Sequence, residues 1–529
     1  MEGEPGPATE PSNRLQRPSL AVAASIVAAG FLGSRLLGML RTVAIADTFG
    51  DSPELAAYWV AFRLPDLVFQ VLAGAALGAA FIPTFARVFT KQSEEAAWRL
   101  ASSVLNLVAM ATIAFAFLGF LLAPVLVPIM APGLEEEGLA VNLTRLMMLS
   151  PILFAVSGMF TATLNSRHHF LFPVIAPMVY NLSIIVGAVF FDDVHALAAA
   201  VVIGAALHLA VQVPVLLAIG MRYSPIAQWR DPAVREVGRL MAPRVLGLGA
   251  FQLNFVVLTF FASTVSDQAI SAVNYAWLLM MAPLGVFGMA ISTAVFPTLA
   301  EQAADDRQKL RRTLEQSLRF ILFLTIPSGI GLMILSKPLV AFLLQHGQFG
   351  EASTDLTQAA LLFYAVGLFA HAAVEILSRG FYALGDTRTP VIFAVVSLVT
   401  NLILSAIFVG PFEVRGLALA VSLATILNAA LLFWALRSRL EGLDLSALRR
   451  SLGRTLLAAI VMAEVVGFYL ILLHQADLLD TGRMRDAFLA LAGGGLLGGA
   501  IFLAAARALR SEEVETLLRR VPWLGRPAV

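Results

Sequence analysis

Positive charges inside apolar segments are the residues of this chain best suited to bind a ligand. Arg35 and Arg41 lie in the first long apolar segment, and no acidic residue falls within four positions of either one inside that segment. A charge at the centre of a membrane-spanning helix costs at least ~2.5 kcal/mol, so it usually faces a cavity or a partner. Because a planar guanidinium donates two parallel hydrogen bonds, two unpaired arginines suit a phosphate or pyrophosphate ligand.

The alternative for Arg35 and Arg41 is an interfacial position, where a flexible stem lets the charge reach the lipid headgroups. The two residues are six apart, which on a helix amounts to about 600°, so their directions differ by roughly 120°. They can therefore border one wide cavity together, but they cannot lie on one narrow stripe.

Other charged residues in apolar segments complete the set of candidates. Arg63 precedes Asp66 by three residues, so the two can pair within one helix or bind a ligand. Arg244 is a further candidate cation for the cavity. His371 and Glu375 are the candidates for proton or ion coupling, although Glu375 can also pair with Arg379 at i+4.

The sequence lacks the motifs of soluble enzymes. The chain has no cysteine and no phosphate-binding GxxxxGK[ST] loop, and its histidines and carboxylates lack metal-ligand spacing. We therefore predict no metal, no cofactor, no nucleic-acid partner and no enzymatic activity.

Long apolar helices must position these side chains. Of the 529 residues, 59% are hydrophobic and 13% are charged, against about 25% charged in soluble domains. About 20 apolar residues cross a bilayer, and the backbone must then satisfy its own hydrogen bonds as helices. We predict an all-α polytopic membrane protein with fourteen spans, at 20–46, 56–85, 100–128, 140–164, 171–191, 195–220, 241–265, 270–299, 316–340, 356–384, 389–409, 415–437, 453–474 and 486–507.

The charges between the spans alternate in sign. Connections after odd-numbered spans hold acidic residues such as Asp51, Glu135 and Asp355, whereas those after even-numbered spans hold basic residues such as Arg87 and Arg312. Because basic loops favour the cytoplasmic side, we predict a bacterial inner-membrane protein with both termini in the cytoplasm. Lys337, Arg415, Arg483 and Arg485 are exceptions on or near the outer side.

Short motifs recur at a nearly constant offset. Residues 80–86 resemble 294–300, residues 173–175 match 390–392, and residues 35–38 resemble 244–247, at offsets of 214, 217 and 209. The repeat unit is six spans, and an even number returns the chain to its starting side. We therefore predict two parallel six-helix lobes with a cavity between them, followed by a separate helix pair.

This pattern divides the chain into six parts. Residues 1–18 are rich in Pro, Glu, Gly and Ser and are predicted to be disordered. The other predicted parts are an N-lobe at 19–220, a cytoplasmic linker at 221–240, a C-lobe at 241–438, a helix pair at 439–510 and a cytoplasmic tail at 511–529.

Several segments together resemble the MurJ/MviN family of lipid II flippases, in the superfamily of multidrug, oligosaccharidyl-lipid and polysaccharide exporters. They are 34–38 with Arg41, 60–66, 80–83, 176–177 with Asn181, and 380–382 with 389–390. The resemblance implies alternating access, a cationic cavity that uses Arg35 and Arg41, and a groove for the lipid tail formed by the C-terminal helix pair. It also implies a lipid-linked pyrophosphoryl glycopeptide as the ligand, surrounding membrane lipids, and cell-wall synthesis proteins as candidate partners.

Two of the family's usual cationic positions are uncharged in this chain. Phe69 stands where the family usually has a basic residue, and the family arginine of span 8 falls in the uncharged stretch around Leu278. Charge recognition then depends on Arg35 and Arg41, with help from Arg63 or Arg244. These departures keep two alternatives open: an exporter of another lipid-linked glycan or amphipathic molecule, and a scaffold that recruits cell-wall enzymes without transport.

Overall fold

The computed structural model describes residues 20–72, 75–480 and 482–520, and every regular element in these ranges is helical. The predicted disordered segment 1–18 lies outside the described residues. The helices of the first lobe are α1 Leu20–Phe49, α2 Pro53–Leu72, α3 Ala75–Lys91, α4 Glu94–Met130, α5 Glu137–Met147, α6 Ser150–Ser166, α7 Leu171–Phe191, α8 Val194–Ala210 and α9 Val213–Ala218.

The regular elements of the second lobe and of the C-terminal region are also helices in the described residues. The helices of the second lobe are α10 Pro232–Ser263, α11 Asp267–Pro283, α12 Ala290–Asp305, α13 Arg307–Ile334, α14 Ser336–Leu344, α15 Glu351–Ala383 and α16 Arg388–Arg439. A π-helix, Leu284–Met289, lies between α11 and α12. The C-terminal elements are α17 Leu445–Gln475, α18 Met484–Ala508 and α19 Glu512–Arg520.

The number of spans agrees with the prediction from the sequence. In the described part of the chain, 12 stretches are long and apolar enough to cross a membrane. One of them, α16, contains two antiparallel spans, because Glu413 leaves the helical conformation with φ 50° and the chain turns back there. The apolar part of α10 at Gln252–Ser263 supplies span 7. The prediction of an all-α membrane protein with about fourteen spans is therefore confirmed.

Polar side chains mark where several helices begin. Ser93 accepts from the amide of Ala96, and Ser266 accepts from the amide of Ala269, each at 3.1 Å. Such caps satisfy amides that the first helical turn leaves free, and each stabilises a helix by about 1 kcal/mol. Asp306 does the same for α13, and the amides of Lys309 and Gln308 hold the pKa of its carboxyl below the usual range.

The structure repeats in detail between the lobes. Ser183 in α7 donates to the carbonyl oxygen of Ala200 in α8 at 2.9 Å, and Ser397 donates to the carbonyl oxygen of Ala424 across the two halves of α16 at 3.0 Å. The turns that join these paired helices also correspond, since each is made by a non-glycine residue with positive φ, namely Asp192 and Glu413. In the same way α1 packs on α7, and α10 packs on α16.

The lobes meet along α2 and α3 on one side and α10 and α11 on the other. The C-terminal pair packs outside this interface, where α17 contacts α18 and the second-lobe helix α13. The short helix α19 contacts α13 and α17. Glu512 pairs with Arg319 at 3.0 Å, and Glu513 accepts a hydrogen bond from Ser451 at 2.7 Å.

The packing of α15 against α16 predicts opposite effects for two glycine substitutions. A Cβ atom at Gly367 would lie 2.6 Å from Ser422 Oγ and 2.9 Å from its Cα, whereas one at Gly453 would meet no atom within 4 Å. We expect Gly367→Ala to lower stability by about 1–3 kcal/mol through overpacking. Gly453→Ala should leave stability unchanged or raise it by up to about 1 kcal/mol, because alanine favours helix. Thermal unfolding in detergent measures both, and equal melting temperatures would contradict the close contact.

Candidate functional site

Arg35 lies on the wall of the first lobe that faces the second. Its Nη2 atom is 3.8 Å from Met289 Sδ in the π-helix, and its Cζ atom lies 4.7 Å from the ring centre of Phe31. A methyl group at Gly285 would overlap the guanidinium, so glycine makes room for it. Among the described residues, no carboxylate lies within 4.0 Å of Arg35. Among the described residues the side chain is therefore a half-buried cation that lacks an acidic partner and contacts the second lobe.

Arg41 lies two turns further along α1, also half-buried. It is close enough to interact electrostatically with the hydroxyls of Tyr58 in α2 and Tyr180 in α7. In the described part of the chain it forms no ion pair. Arg41 therefore lies near helices of its own lobe.

Arg63 joins the two lobes. Its Nε atom donates to Thr259 Oγ1 at 2.9 Å, and its Nη2 atom donates to Asn274 Oδ1 at 2.6 Å. One turn further on, Asp66 accepts from Gln252 in the second lobe at 2.6 Å. Arg63 and Asp66 lie on one helix without forming a direct ion pair within 4.0 Å. Each instead forms hydrogen bonds with side chains of the opposite lobe, and Asp66 also accepts from Gln70 of its own helix at 3.5 Å.

The lobes also touch at the end of the bundle that holds the acidic loops, here called the acidic face (residues 47–54, 131–137, 264–267 and 345–355). The amide of Gln348 donates to the carbonyl oxygen of Asp47 at 2.8 Å, and the Tyr275 hydroxyl donates to that of Gly50 at 2.9 Å. The amide of Glu135 contacts Asp267 Oδ2 at 3.3 Å. These contacts close the acidic face between the lobes.

The opposite end, the basic face (residues 87–99, 219–239, 305–312 and 384–389), has a different contact. There the Arg87 guanidinium in α3 forms a two-bond ion pair with Glu236 near the start of α10. This pair lies at the surface, where exposed ion pairs contribute only about 0–1 kcal/mol. The basic face is joined by apolar packing as well, because Val234 and Val237 of α10 lie in one buried cluster with Phe85 of α3.

The remaining candidate residues lie on α10 and α15. Arg244 belongs to α10, but its side chain lies outside the described residues. His371 contacts Thr425 Oγ1 at 3.3 Å and packs its ring against Trp277. Glu375 lies 3.7 Å from Arg379, and no hydrogen bond joins it to His371 in the part of the chain that the structure describes. The coupling role of His371 and Glu375 stays a prediction.

The two uncharged family positions are occupied by apolar contacts. Phe69 packs against Phe154 with ring centres 5.0 Å apart, and Phe154 in turn contacts Tyr180. Leu278 lies half-buried in α11. Neither position offers charge to an anion.

Sequence reasoning missed the polar partners of Arg63 and Asp66. Gln252 and Thr259 are seven residues apart on α10, which is close to two helical turns, so both lie on the face toward α2. Two polar residues at this spacing in an apolar helix could have indicated a polar contact with another helix. The approach of Arg35 to a π-helix had no comparable signal, because hydropathy does not report hydrogen-bond register.

Two repeated helix lobes, joined by polar contacts across their interface, define a membrane transporter of the two-lobe type rather than an enzyme. A family model described as "Lipid II flippase MurJ" matches residues 45–480. The chain belongs to this family, which places it in the bacterial inner membrane.

Relatives from other bacteria agree along most of the chain. A protein of Burkholderia cenocepacia named "Lipid II flippase MurJ" is 32% identical over 431 residues, covering 79% of this chain and 84% of the relative. A protein of Buchnera aphidicola from Acyrthosiphon pisum named "Probable lipid II flippase MurJ" is 28% identical over 484 residues, covering 89% and 93%.

Solved structures match the fold as well. One described as "Lipid II flippase MurJ, inward closed conformation" is 25% identical with a TM-score of 0.77, covering 91% of this chain and 98% of the other. A multidrug resistance MATE family transporter of the MOP superfamily, inward-facing, matches at 17% identity with a TM-score of 0.66, covering 79% and 96%. The second match concerns the fold alone.

Proposed function

We propose that this chain moves lipid II, a peptidoglycan precursor linked to undecaprenyl pyrophosphate, from the inner to the outer leaflet by alternating access. The observation that carries the proposal is the position of Arg35, a cation without an acidic partner that faces the opposite lobe in a chain of the MurJ family. A pyrophosphate is the part of lipid II that such a cation can bind, because charge-assisted hydrogen bonds to it are strong and directional.

The closed acidic face supports a direction for the cycle. Positive residues favour the cytoplasm, so we place the basic face and both termini on the cytoplasmic side. With the acidic face closed, the headgroup enters from the basic face, where α3 and α10 must separate, and reaches Arg35 between the lobes. The membrane potential supplies about 2.3 kcal/mol per charge per 100 mV, which is enough to bias the cycle.

An apolar cavity of about 500 Å³ lies beside the second lobe and supports a separate path for the lipid tail. It forms where α13 and α15 meet α16 and α17, so the C-terminal helix pair contributes one wall. An isoprenoid chain can remain in this apolar groove while the headgroup crosses between the lobes. The cavity is lined by Leu318, Leu322, Thr325, Ile326, Gly329, Ile330, Met333, Ala365, Val366, Phe369, Ala373, Leu377, Ala429, Phe433, Leu448, Leu452 and Leu456.

A second candidate is export of another lipid-linked glycan, which the uncharged side chains of Phe69 and Leu278 favour. Such a substrate would need fewer cations in the cavity. The partnership of the basic loops with cell-wall synthesis proteins stays a prediction.

Complementation tests the proposed substrate. We expect the chain, expressed in a bacterium depleted of its own lipid II flippase, to restore growth and the exposure of lipid II on the outer leaflet. A double cysteine variant that blocks the lobes serves as the control for expression without movement. Restored growth without restored lipid II exposure would favour the scaffold, and failure of both with normal membrane insertion would favour another glycan.

A further inference from the structure

We propose that Arg379 of α15 is the cation through which the second lobe binds the substrate pyrophosphate. This inference rests on the proposed function and assigns a residue to the same site. Because the second lobe lacks a charge at Leu278, the proposal also explains how that lobe can hold an anion.

Arg379 and Arg35 converge on one stretch of span 8. Arg35 Nη2 lies 3.8 Å from Met289 Sδ, and Arg379 Nη2 donates to Thr293 Oγ1 at 2.9 Å. Thr293 in turn donates to the carbonyl oxygen of Met289 at 2.7 Å. Residues four apart on a helix lie on one face and are separated by roughly 6 Å along the axis. The two guanidinium groups, one from each lobe, therefore approach the same short surface.

The guanidinium of Arg379 keeps donors that its neighbours do not use. Its Nε atom is buried and has no hydrogen-bond partner among the described residues. Its acidic neighbour Glu375 lies 3.7 Å away, which is longer than a hydrogen bond. A buried donor without a partner is unfavourable, and a hydrogen bond to an incoming phosphate oxygen would remove that penalty. The threonine contact meanwhile fixes the direction of the guanidinium.

Binding between two lobes has a consequence for the transport cycle. A pyrophosphate diester carries roughly one negative charge on each phosphate, so Arg35 and Arg379 can each hold one phosphate. A ligand favours the conformation in which it makes more contacts. An anion bridging the two lobes therefore stabilises the state in which they approach each other around span 8, whereas an anion held by Arg35 and Arg41 alone does not.

A comparison of lipids with one and with two phosphates tests the role of Arg379. We expect purified wild-type protein in detergent to bind undecaprenyl pyrophosphate more tightly than undecaprenyl phosphate, as measured by native mass spectrometry or fluorescence competition. Arg379→Gln should weaken pyrophosphate binding about 10–100-fold and change monophosphate binding less than about 3-fold. Arg145→Gln is the matched control, because Arg145 contacts the ring and carbonyl oxygen of Phe120 away from the lobe interface.

The Glu375→Gln variant tests whether a loss of pyrophosphate binding in Arg379→Gln is due to misfolding. Removing the carboxylate frees the guanidinium of Arg379, so we expect pyrophosphate affinity to rise a few-fold, which misfolding cannot produce. An unchanged preference for pyrophosphate in Arg379→Gln would overturn the assignment while leaving the proposed function intact. If the wild-type protein binds neither lipid, the proposed function itself fails.

Discussion

A variant with cysteines in place of Asp47 and Gln348 is expected to stop transporting when oxidised and to recover when reduced. The amide of Gln348 donates to the carbonyl oxygen of Asp47 at 2.8 Å, on the acidic face between the lobes. Hydrogen-bonded residue pairs of antiparallel strands have Cα atoms about 5.5 Å apart, and a similar separation here would lie inside the range of about 4.4–6.8 Å that a disulfide accepts. Alternating access requires this face to open, so a covalent bond across it should reduce translocation to background.

The chain contains no cysteine, so the two introduced cysteines are the only thiols and no other disulfide can form within the protein. Disulfide formation is followed by the mass of a tryptic crosslink, and translocation by the accessibility of a fluorescent lipid II analogue in proteoliposomes. Each single cysteine variant controls for the substitutions themselves and should retain activity under oxidising conditions. Full translocation by quantitatively crosslinked protein would contradict the opening of the acidic face.

Arg35→Ala is expected to lower the translocation rate about 100-fold. The substitution removes the half-buried guanidinium that faces the second lobe, and each charge-assisted hydrogen bond to a phosphate contributes about 1.5–3 kcal/mol. Arg35→Lys should retain part of the activity, because lysine keeps the charge and loses the planar pair of donors. The rate is measured in proteoliposomes with the same lipid II analogue.

Arg145→Ala is the matched control for this loss, since Arg145 also lies in an apolar helix but stacks on Phe120. We expect its rate to stay within about threefold of the wild type. Protein amount and melting temperature should be equal in both variants, because Arg35 makes no ion pair among the described residues whose loss would destabilise the fold. Equal translocation by Arg35→Ala and Arg145→Ala would overturn the role of Arg35.

Much of the fold follows from the sequence because the bilayer imposes a simple rule of length and hydropathy. The break between spans 11 and 12 was predictable in this way, since Glu413 and Arg415 interrupt two apolar runs. The π-helix at Leu284–Met289 was not predictable, because its residues are as apolar as the α-helices on either side. A change of hydrogen-bond register alters no property that hydropathy measures.

The candidate site followed from the sequence only in part. Arg35 was identifiable because an unpaired charge in an apolar helix is costly. Its neighbours Gly285 and Met289 were not, since they come from the other lobe, more than 240 residues away, and depend on tertiary packing. The pairing of Arg63 with Asp66 was an alternative suggested by their spacing, but Thr259 and Gln252 compete for the same polar atoms with better geometry.

The turns at Asp192 and Glu413 have a mechanical consequence. Each turn contains one residue in the left-handed region, at a cost of roughly 1–2 kcal/mol that the surrounding packing must offset. Because the connection is short, the two helices it joins cannot slide or separate, and we expect each helical hairpin to move as a rigid unit. The segment 219–231 is the long connection between the lobes, and we expect that shortening it slows the exchange between conformations.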